Sequence, residues 1–201
     1  MGSTWLANYC ESLSEVLKKV SSERFEELVR LLESAYHGNR QVFVFGNGGS
    51  GSTASHFACD LNKGVSYGLE KRFRVICLND QLPTLTAYAN DVCYEDVFVE
   101  SLKNFLLPGD LVIGISGSGN SANVLKAIEY AHTHGGHTVG LSGYSGGKLA
   151  KLAGTSLLAP VDDMQKAEDV HFILLHVIMQ VLCARLHEPS NVLGNDSKRM
   201  A

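Results

Sequence analysis

The sequence is poor in the features that mark secreted and membrane proteins. It has five cysteines in 201 residues, an odd number with no CxxC pair, which is typical of a reduced, cytosolic protein. No apolar run approaches the roughly 20 residues that span a bilayer. No basic stretch followed by an apolar run opens the chain, so we expect no signal peptide. The sequence therefore predicts a cytoplasmic protein without a membrane segment.

An excess of charge of one sign is also lacking. The chain has 17 lysines and arginines against 21 aspartates and glutamates, a formal net charge of −4. This balance argues against a nucleic-acid binder that works by bulk electrostatics. With 45% hydrophobic and 19% charged residues, the composition is that of a globular chain. The length predicts one domain, with N-terminal helices over 1–38, an α/β core over 41–187 and a polar tail over 188–201.

Five short β-rich runs alternate with helical patterns after the first 40 residues. Such near-continuous apolar runs are typical of strands buried on both faces of a parallel sheet. The runs are Gln41–Phe45, Phe73–Leu78, Asp110–Ser116, His137–Ser142 and Thr155–Ala159. Apolar periodicity predicts two N-terminal helices, then helices near 50–61, 83–105 with a break at Asn90, 122–134, 148–152 and 165–186. We predict a doubly wound, three-layer α/β sandwich with a five-stranded parallel sheet.

Two turns rich in glycine and hydroxyl groups follow the first and third predicted strands. They run over Gly46–Thr53 and Ser116–Ser121, and each opens a helix. Flexible backbone and a helix N-terminus together bind phosphate, although either turn alone could be an ordinary tight turn. Neither turn contains the lysine of a P-loop or a dinucleotide fingerprint, so no nucleotide is expected. A phosphate held by hydroxyls and backbone amides is typical of a sugar-phosphate site.

Beside the two turns, four ionisable residues on two predicted helices are candidate site residues. His56 and Asp60 are four residues apart on the first helix after a glycine turn, so they share a face. Glu168 and His176, eight apart on the last helix, lie on similar faces, whereas His171 points elsewhere and is interpreted as structural. For each of these two pairs, the alternative to a functional site is a pair of solvated surface residues. If the two helices meet, the four residues could also bind zinc or another transition metal.

Six motifs together resemble those of one known family. They are GNGGS, HFAxD, NDxxYE, SGSGNS, GYSGG and ExxHxxxxH, at 46–50, 56–60, 90–95, 116–121, 143–147 and 168–176. The chain resembles the SIS (sugar isomerase) domain family over nearly its whole length, and within it the phosphoheptose isomerases. The resemblance implies an aldose–ketose isomerase of heptose biosynthesis that interconverts sedoheptulose 7-phosphate and D-glycero-D-manno-heptose 7-phosphate. It also implies a homotetramer built by the N-terminal helices, with sites between subunits.

The same resemblance implies roles for individual residues. Asp60 would be the catalytic base and His176 the general acid, and some family members bind zinc at the positions of His56, Asp60, Glu168 and His176. Substrate would be held by the two loops, by an Asn-Asp pair and by the two carboxylates. These residues are Asn47, Gly48, Gly49, Ser50, Asp60, Asn90, Asp91, Ser116, Gly117, Ser118, Ser121 and Glu168.

Three of these positions depart from the family pattern. Asp60 replaces a glutamate, Glu168 replaces a glutamine, and Gly117 replaces a threonine of the hydroxyl loop. Two carboxylates near a phosphorylated substrate favour a divalent cation, so we predict one zinc or similar transition metal per subunit. The alternatives are an isomerase of another phosphosugar and a non-catalytic protein that binds sugar phosphates or associates with a replication initiator. The intact ionisable set favours the enzyme.

Overall fold

A parallel sheet of five strands forms the centre of the computed structural model, which describes residues 2–187. The strands are β1 Gln41–Gly46, β2 Arg74–Cys77, β3 Leu111–Ser116, β4 His137–Ser142 and β5 Thr155–Leu158, in the order β2-β1-β3-β4-β5. The predicted fold class is confirmed. The tail predicted over 188–201 lies outside the described residues.

Eight α-helices flank the sheet within the described part of the chain. They are α1 Gly2–Leu17, α2 Ser22–His37, α3 Gly48–Cys59, α4 Leu82–Asp91, α5 Val97–Lys103, α6 Ala122–Thr133, α7 Leu149–Leu152 and α8 Met164–Leu186. Side chains cap two of them: Ser21 Oγ accepts from the backbone N–H of Arg24 at α2, and Asp163 Oδ1 from that of Lys166 at α8. The predicted break near Asn90 separates α4 from α5.

The core has two layers because strand side chains alternate between the faces of the sheet. Along β1, Val42 and Val44 pack with α2, α3 and α8, whereas Phe43 and Phe45 pack with α5 and α6. All four of these side chains are fully buried. This burial on both faces explains why the strands appear in the sequence as continuous apolar runs.

A π-helical turn over Asp60–Val65 follows α3 directly, a feature that the sequence pattern did not predict. Ser66 closes it, since its hydroxyl donates to the Leu61 carbonyl at 2.7 Å and accepts from the Phe73 amide at 3.0 Å. Such turns occur frequently at functional sites. Here the turn begins at one of the predicted site residues.

The first and last helices differ in how they meet the core. On α1, Val16 is the one buried side chain among those the structure describes, Leu13 and Leu17 pack partly buried against the core, and Trp5 is 79% and Leu6 67% exposed. Among the described residues, α8 is the one helix long and apolar enough to cross a membrane by length and composition alone. Core helices of soluble proteins pass the same test, and α8 contributes Val170, Leu174 and other side chains to the core.

Candidate active site

The structure brings together three of the four predicted ionisable residues. His56 near the end of α3, Asp60 at the start of the π turn and His176 on α8 have donor atoms within 4.8 Å of one another. Nε2 of His56 lies 3.0 Å from Nε2 of His176. Asp60 Oδ2 lies 3.5 Å from the former nitrogen and 3.8 Å from the latter. The two helices therefore meet, as the metal-site hypothesis requires.

The donor set of this cluster suits a divalent transition metal. In a tetrahedral zinc site, ligand atoms lie about 3.3–3.6 Å apart, which is close to the three separations seen here. Two imidazole nitrogens and a carboxylate oxygen are ordinary zinc ligands. Asp60 Oδ2 is also buried without a hydrogen-bond partner. A cation bound by the three residues would provide that oxygen with its missing partner.

Glu168 lies outside this cluster. It is eight residues from His176, about 12 Å along the helix axis, so a shared ion would need both side chains to extend toward it. The Glu168 carboxylate instead lies against Gly49, so closely that a Cβ at position 49 would collide with it. With Gly49, His56 and Phe172 it lines a cavity of about 450 Å³ in the groove between α3 and α8.

Aromatic and acidic side chains complete this groove, and the sequence did not point to them. The ring of Phe172 contacts both histidines of the cluster, with centroid distances of 4.7 Å to His56 and 4.4 Å to His176. Asp169 also lines the cavity, and its Oδ2 accepts a hydrogen bond of 2.6 Å from the Tyr9 hydroxyl of α1. That bond raises the pKa of Tyr9 to about 12. The first helix is thereby tied to the wall of the groove.

His171 is a core residue, as its position on α8 indicated. Its side chain is fully buried, and its Nε2 lies 3.0 Å from the carbonyl oxygen of Ser142 at the end of β4. Burial lowers its pKa from 6.5 to about 4. The imidazole is therefore neutral at physiological pH and donates its Nε2–H to the strand.

This lowered pKa predicts a loss of stability in mild acid. Between pH 6.5 and about 4 the unfolded chain binds a proton at His171 that the folded chain does not, so the free energy of unfolding falls as the pH falls. The loss from this residue is about 3 kcal/mol over that window. Urea unfolding of wild type and His171→Gln from pH 7 to pH 4 checks this, and equal slopes for both proteins would contradict it.

The two glycine turns meet at one edge of the sheet. β1 and β3 are neighbours, and Gly46 at the end of β1 pairs with Ile115 near the end of β3. The strand order changes direction between them, and ligands of doubly wound sheets bind at that point. After β1 only Asn47 separates strand from helix, and Gly48 takes a positive φ of 54° to make the turn. Ser50 is buried beneath it.

The hydroxyl loop after β3 is held from both sides. Within it, the hydroxyls of Ser116 and Ser121 lie 3.0 Å apart, and Ser118 Oγ accepts from the Asn120 amide at 3.2 Å. The predicted GYSGG segment braces it from outside, because the amide of Gly143 donates to the Gly117 carbonyl at 2.8 Å. The loop thus places the hydroxyl groups of three serines at the N-terminus of α6.

The side chain of Met164 packs against Gly117. A Cβ at position 117 would collide with the sulfur of Met164, the first residue of α8. Met164 therefore occupies the space that a side chain at position 117 would need.

A threonine at position 117, the residue that the family resemblance implies there, is expected to be costly only while Met164 is present. Gly117→Thr forces the methionine aside and lowers the free energy of unfolding by about 1–2 kcal/mol. In a Met164→Ala background the same change is expected to cost less, which gives a measurable coupling energy. Urea unfolding of the four proteins of this cycle tests the pairing. Identical costs in both backgrounds would show that the two positions do not interact.

Asn90 and Asp91 lie apart from the histidine groove. They end α4, are exposed, and Asn90 Nδ2 donates to Asp91 Oδ1 at 2.7 Å. Asp91 lines a separate cavity of about 530 Å³ on α4. That cavity lacks the histidines and paired carboxylates, so the smaller groove between α3 and α8 is the candidate reaction centre.

Comparisons with known proteins agree with the fold and the motifs. The SIS domain family matches residues 5–143. A phosphoheptose isomerase of Helicobacter pylori is 37% identical over 169 residues, which cover 84% of this chain and 86% of that protein. A probable phosphoheptose isomerase of Thermoplasma volcanium is 33% identical over 177 residues, with 88% and 90% covered.

A solved structure extends the likeness to three dimensions. The phosphoheptose isomerase GmhA from Neisseria gonorrhoeae has a TM-score of 0.82 to this chain and is 26% identical to it. The match covers 90% of this chain and 96% of that one. The two proteins therefore share one fold over most of both chains.

Proposed function

Because the chain belongs to the SIS domain family, we propose that it is an aldose–ketose isomerase that interconverts sedoheptulose 7-phosphate and D-glycero-D-manno-heptose 7-phosphate. The observation that carries the proposal is a carboxylate, Asp60, and an imidazole, His176, only 3.8 Å apart beside a groove. A base and an acid at that separation can serve neighbouring atoms of one substrate. The phosphoheptose isomerases similar to the chain give the substrate class.

In the proposed reaction, Asp60 removes a proton from C1 of the ketose, next to its carbonyl. His176 gives a proton to the carbonyl oxygen at C2, and a 1,2-enediol forms. The O1 hydroxyl then loses its proton as C2 gains one, which yields the aldose. No atom is lost from the sugar, and both groups return to their starting protonation states. Each proton transfer of this kind typically contributes 10²–10⁴-fold to the rate.

A divalent metal, with zinc as our choice, would be held by His56, Asp60 and His176. Glu168 is the fourth residue proposed as a ligand, by extension of its side chain toward the cluster. When bound, such an ion would supply Lewis-acid stabilisation of negative charge on a substrate oxygen. Isothermal titration of the protein with zinc, compared with the His56→Gln variant, tests the ligand set. Equal affinities would remove His56 from it.

The phosphate would bind at the edge of the sheet where the two turns meet. Ser116, Ser118 and Ser121 supply hydroxyls there, and the start of α6 supplies backbone N–H groups and a positive helix end. Asn47, Gly48, Gly49, Ser50, Asn90, Asp91, Gly117 and Glu168 are the remaining proposed substrate contacts. The distance from the first turn of α3 to His56, about 11 Å along the helix, corresponds to the length of a phosphorylated sugar.

A panel of phosphosugars tests the substrate. We expect sedoheptulose 7-phosphate to give an aldose product, detected by NMR, and shorter ketose phosphates to give less. If another phosphosugar in the panel is converted faster, the chain is still an isomerase, but that sugar is its substrate. Tight binding of sugar phosphates without any product from the panel would identify a binding protein instead.

The chain is proposed to act as a cytoplasmic single-domain protein and as a homotetramer with sites between subunits. Support for assembly comes from Trp5 and Leu6 on α1, which are more than two-thirds exposed in the single chain. Contact with further copies would cover such apolar side chains. Light scattering after gel filtration measures the mass, and Trp5→Glu with Leu6→Glu is expected to lower it. A monomeric wild type would contradict the assembly.

A further inference from the structure

Asn123, on the helix that follows the hydroxyl loop, forms a pair of side-chain hydrogen bonds with Asn47 in the glycine turn after β1. It is the second residue of α6 and is only 2% exposed. Nδ2 of Asn47 donates to Oδ1 of Asn123 at 2.9 Å, and Nδ2 of Asn123 donates back to Oδ1 of Asn47 at 2.9 Å. The loop after β1 and the helix after β3 are thus linked across 76 residues of sequence. Neither motif indicates this contact.

The backbone fixes the direction of these hydrogen bonds. The amide N–H of Val124 donates to Oδ1 of Asn123 at 2.9 Å, so that atom must be the oxygen. Nδ2 of Asn123 then faces Asn47, and the atom it meets must be the Asn47 oxygen. The Tyr94 hydroxyl lies 2.9 Å from this oxygen and donates to it, because a carbonyl oxygen has no hydrogen to give.

These contacts leave one hydrogen of the Asn47 side-chain amide without a partner. Its oxygen accepts from both Tyr94 and Asn123, which occupies both lone pairs, and one of its two amide hydrogens goes to Asn123. The second amide hydrogen remains. We infer that Asn123 is a positioning residue that presents Asn47 to the substrate solely as a hydrogen-bond donor.

A donor at this place suits the proposed reaction. The carbonyl oxygen of a ketose becomes an enediol oxygen and gains electron density on the way, and a preoriented N–H stabilises that change. An asparagine free to rotate could equally present its oxygen, which would repel the same atom. The inference rests on the proposed function, because it takes Asn47 to be a substrate contact.

The test compares Asn123→Asp with Asn123→Ala and with Tyr94→Phe. The aspartate has nearly the same shape and still accepts from Val124 and Asn47, but its ionised oxygen cannot donate to the Asn47 oxygen. We expect kcat to fall about tenfold or more at pH 8, with a smaller change in KM. Tyr94 is 51% exposed, so Tyr94→Phe is expected to fold normally and to lose about threefold in kcat.

The pH profile separates positioning from simple packing. As the pH is lowered toward 5, a buried carboxyl takes up a proton and can donate again, so the ratio of Asn123→Asp to wild-type kcat rises. The ratio for Asn123→Ala is expected to stay flat. A flat ratio for both variants, or wild-type kcat in Asn123→Asp at pH 8, would overturn the inference.

A binding measurement separates the positioning role of Asn123 from the proposed isomerase activity. The side-chain amide of Asn47 gives a ¹⁵N NMR signal with two hydrogens, one bonded to Asn123 and one free. Added sugar phosphate is expected to shift the free one in wild type, and the signal to broaden or move in Asn123→Asp. If wild type binds the sugar phosphate and this shift occurs without turnover, the positioning role holds and the isomerase proposal fails. No shift on binding would overturn the inference.

Discussion

Replacing Asp60 by asparagine will lower kcat by about 10²–10⁴-fold, because the amide cannot remove the proton from the substrate carbon. The fold is expected to survive the change. Asp60 Oδ2 accepts no hydrogen bond, so the change to an amide breaks none, although it removes a carboxylate that lies 3.5 Å and 3.8 Å from the two histidines. We therefore expect the melting temperature of the chelated, metal-free protein to change little while turnover falls.

The matched control for this variant is Glu129→Gln on α6. It makes the same change from carboxylate to amide at an exposed residue outside the cluster. It should keep wild-type kcat and KM. An Asp60→Asn protein that retains near-normal isomerisation would remove Asp60 from the role of base, whatever its effect on stability.

Replacing His176 by glutamine will lower kcat by about 10²-fold, and added zinc will not restore it. The reason is that His176 Nε2 has two proposed roles, as a metal ligand and as the proton donor to the substrate oxygen, which one nitrogen can fill only in turn. Saturating zinc can compensate for a weakened ligand, but it cannot replace the proton donor. Steady-state kinetics with and without added zinc measure the two contributions.

His56→Gln is the control for this second prediction. His56 contributes an imidazole to the same cluster, at 3.0 Å from His176, but has no proposed proton-transfer role. Its kcat should recover more with added zinc than that of His176→Gln. Equal loss and equal recovery in the two variants would show that His176 acts as a metal ligand alone.

The fold could be predicted well because its signals are local. Each strand is a short apolar run between turn residues, and β1 shows it clearly with Val42 to Phe45 buried on alternating faces. Glycines such as Gly48, which takes a positive φ, mark the turns after the strands. The π turn at Asp60 was missed because nothing in its sequence distinguishes it from a continuation of α3.

The site could be predicted only in part because it depends on contacts between distant segments. His56 and Asp60 could be paired from their spacing, but their meeting with His176, 120 residues away from His56, depends on how α8 packs against α3. The Asn47–Asn123 pair and the contact of Met164 with Gly117 are of the same kind. They arise from the sheet order and leave no periodic signal in the sequence.

The most direct test of the account is turnover of sedoheptulose 7-phosphate in D₂O, followed by NMR. It should be run on the protein as purified, after chelation, and after return of zinc. The account predicts an aldose product that carries solvent deuterium at C2, with activity lost on chelation and recovered with zinc. Aldose formed without any deuterium from solvent would contradict an exchanging base. Folded wild type that gives neither product nor exchange in any of the three states would contradict the proposed isomerase.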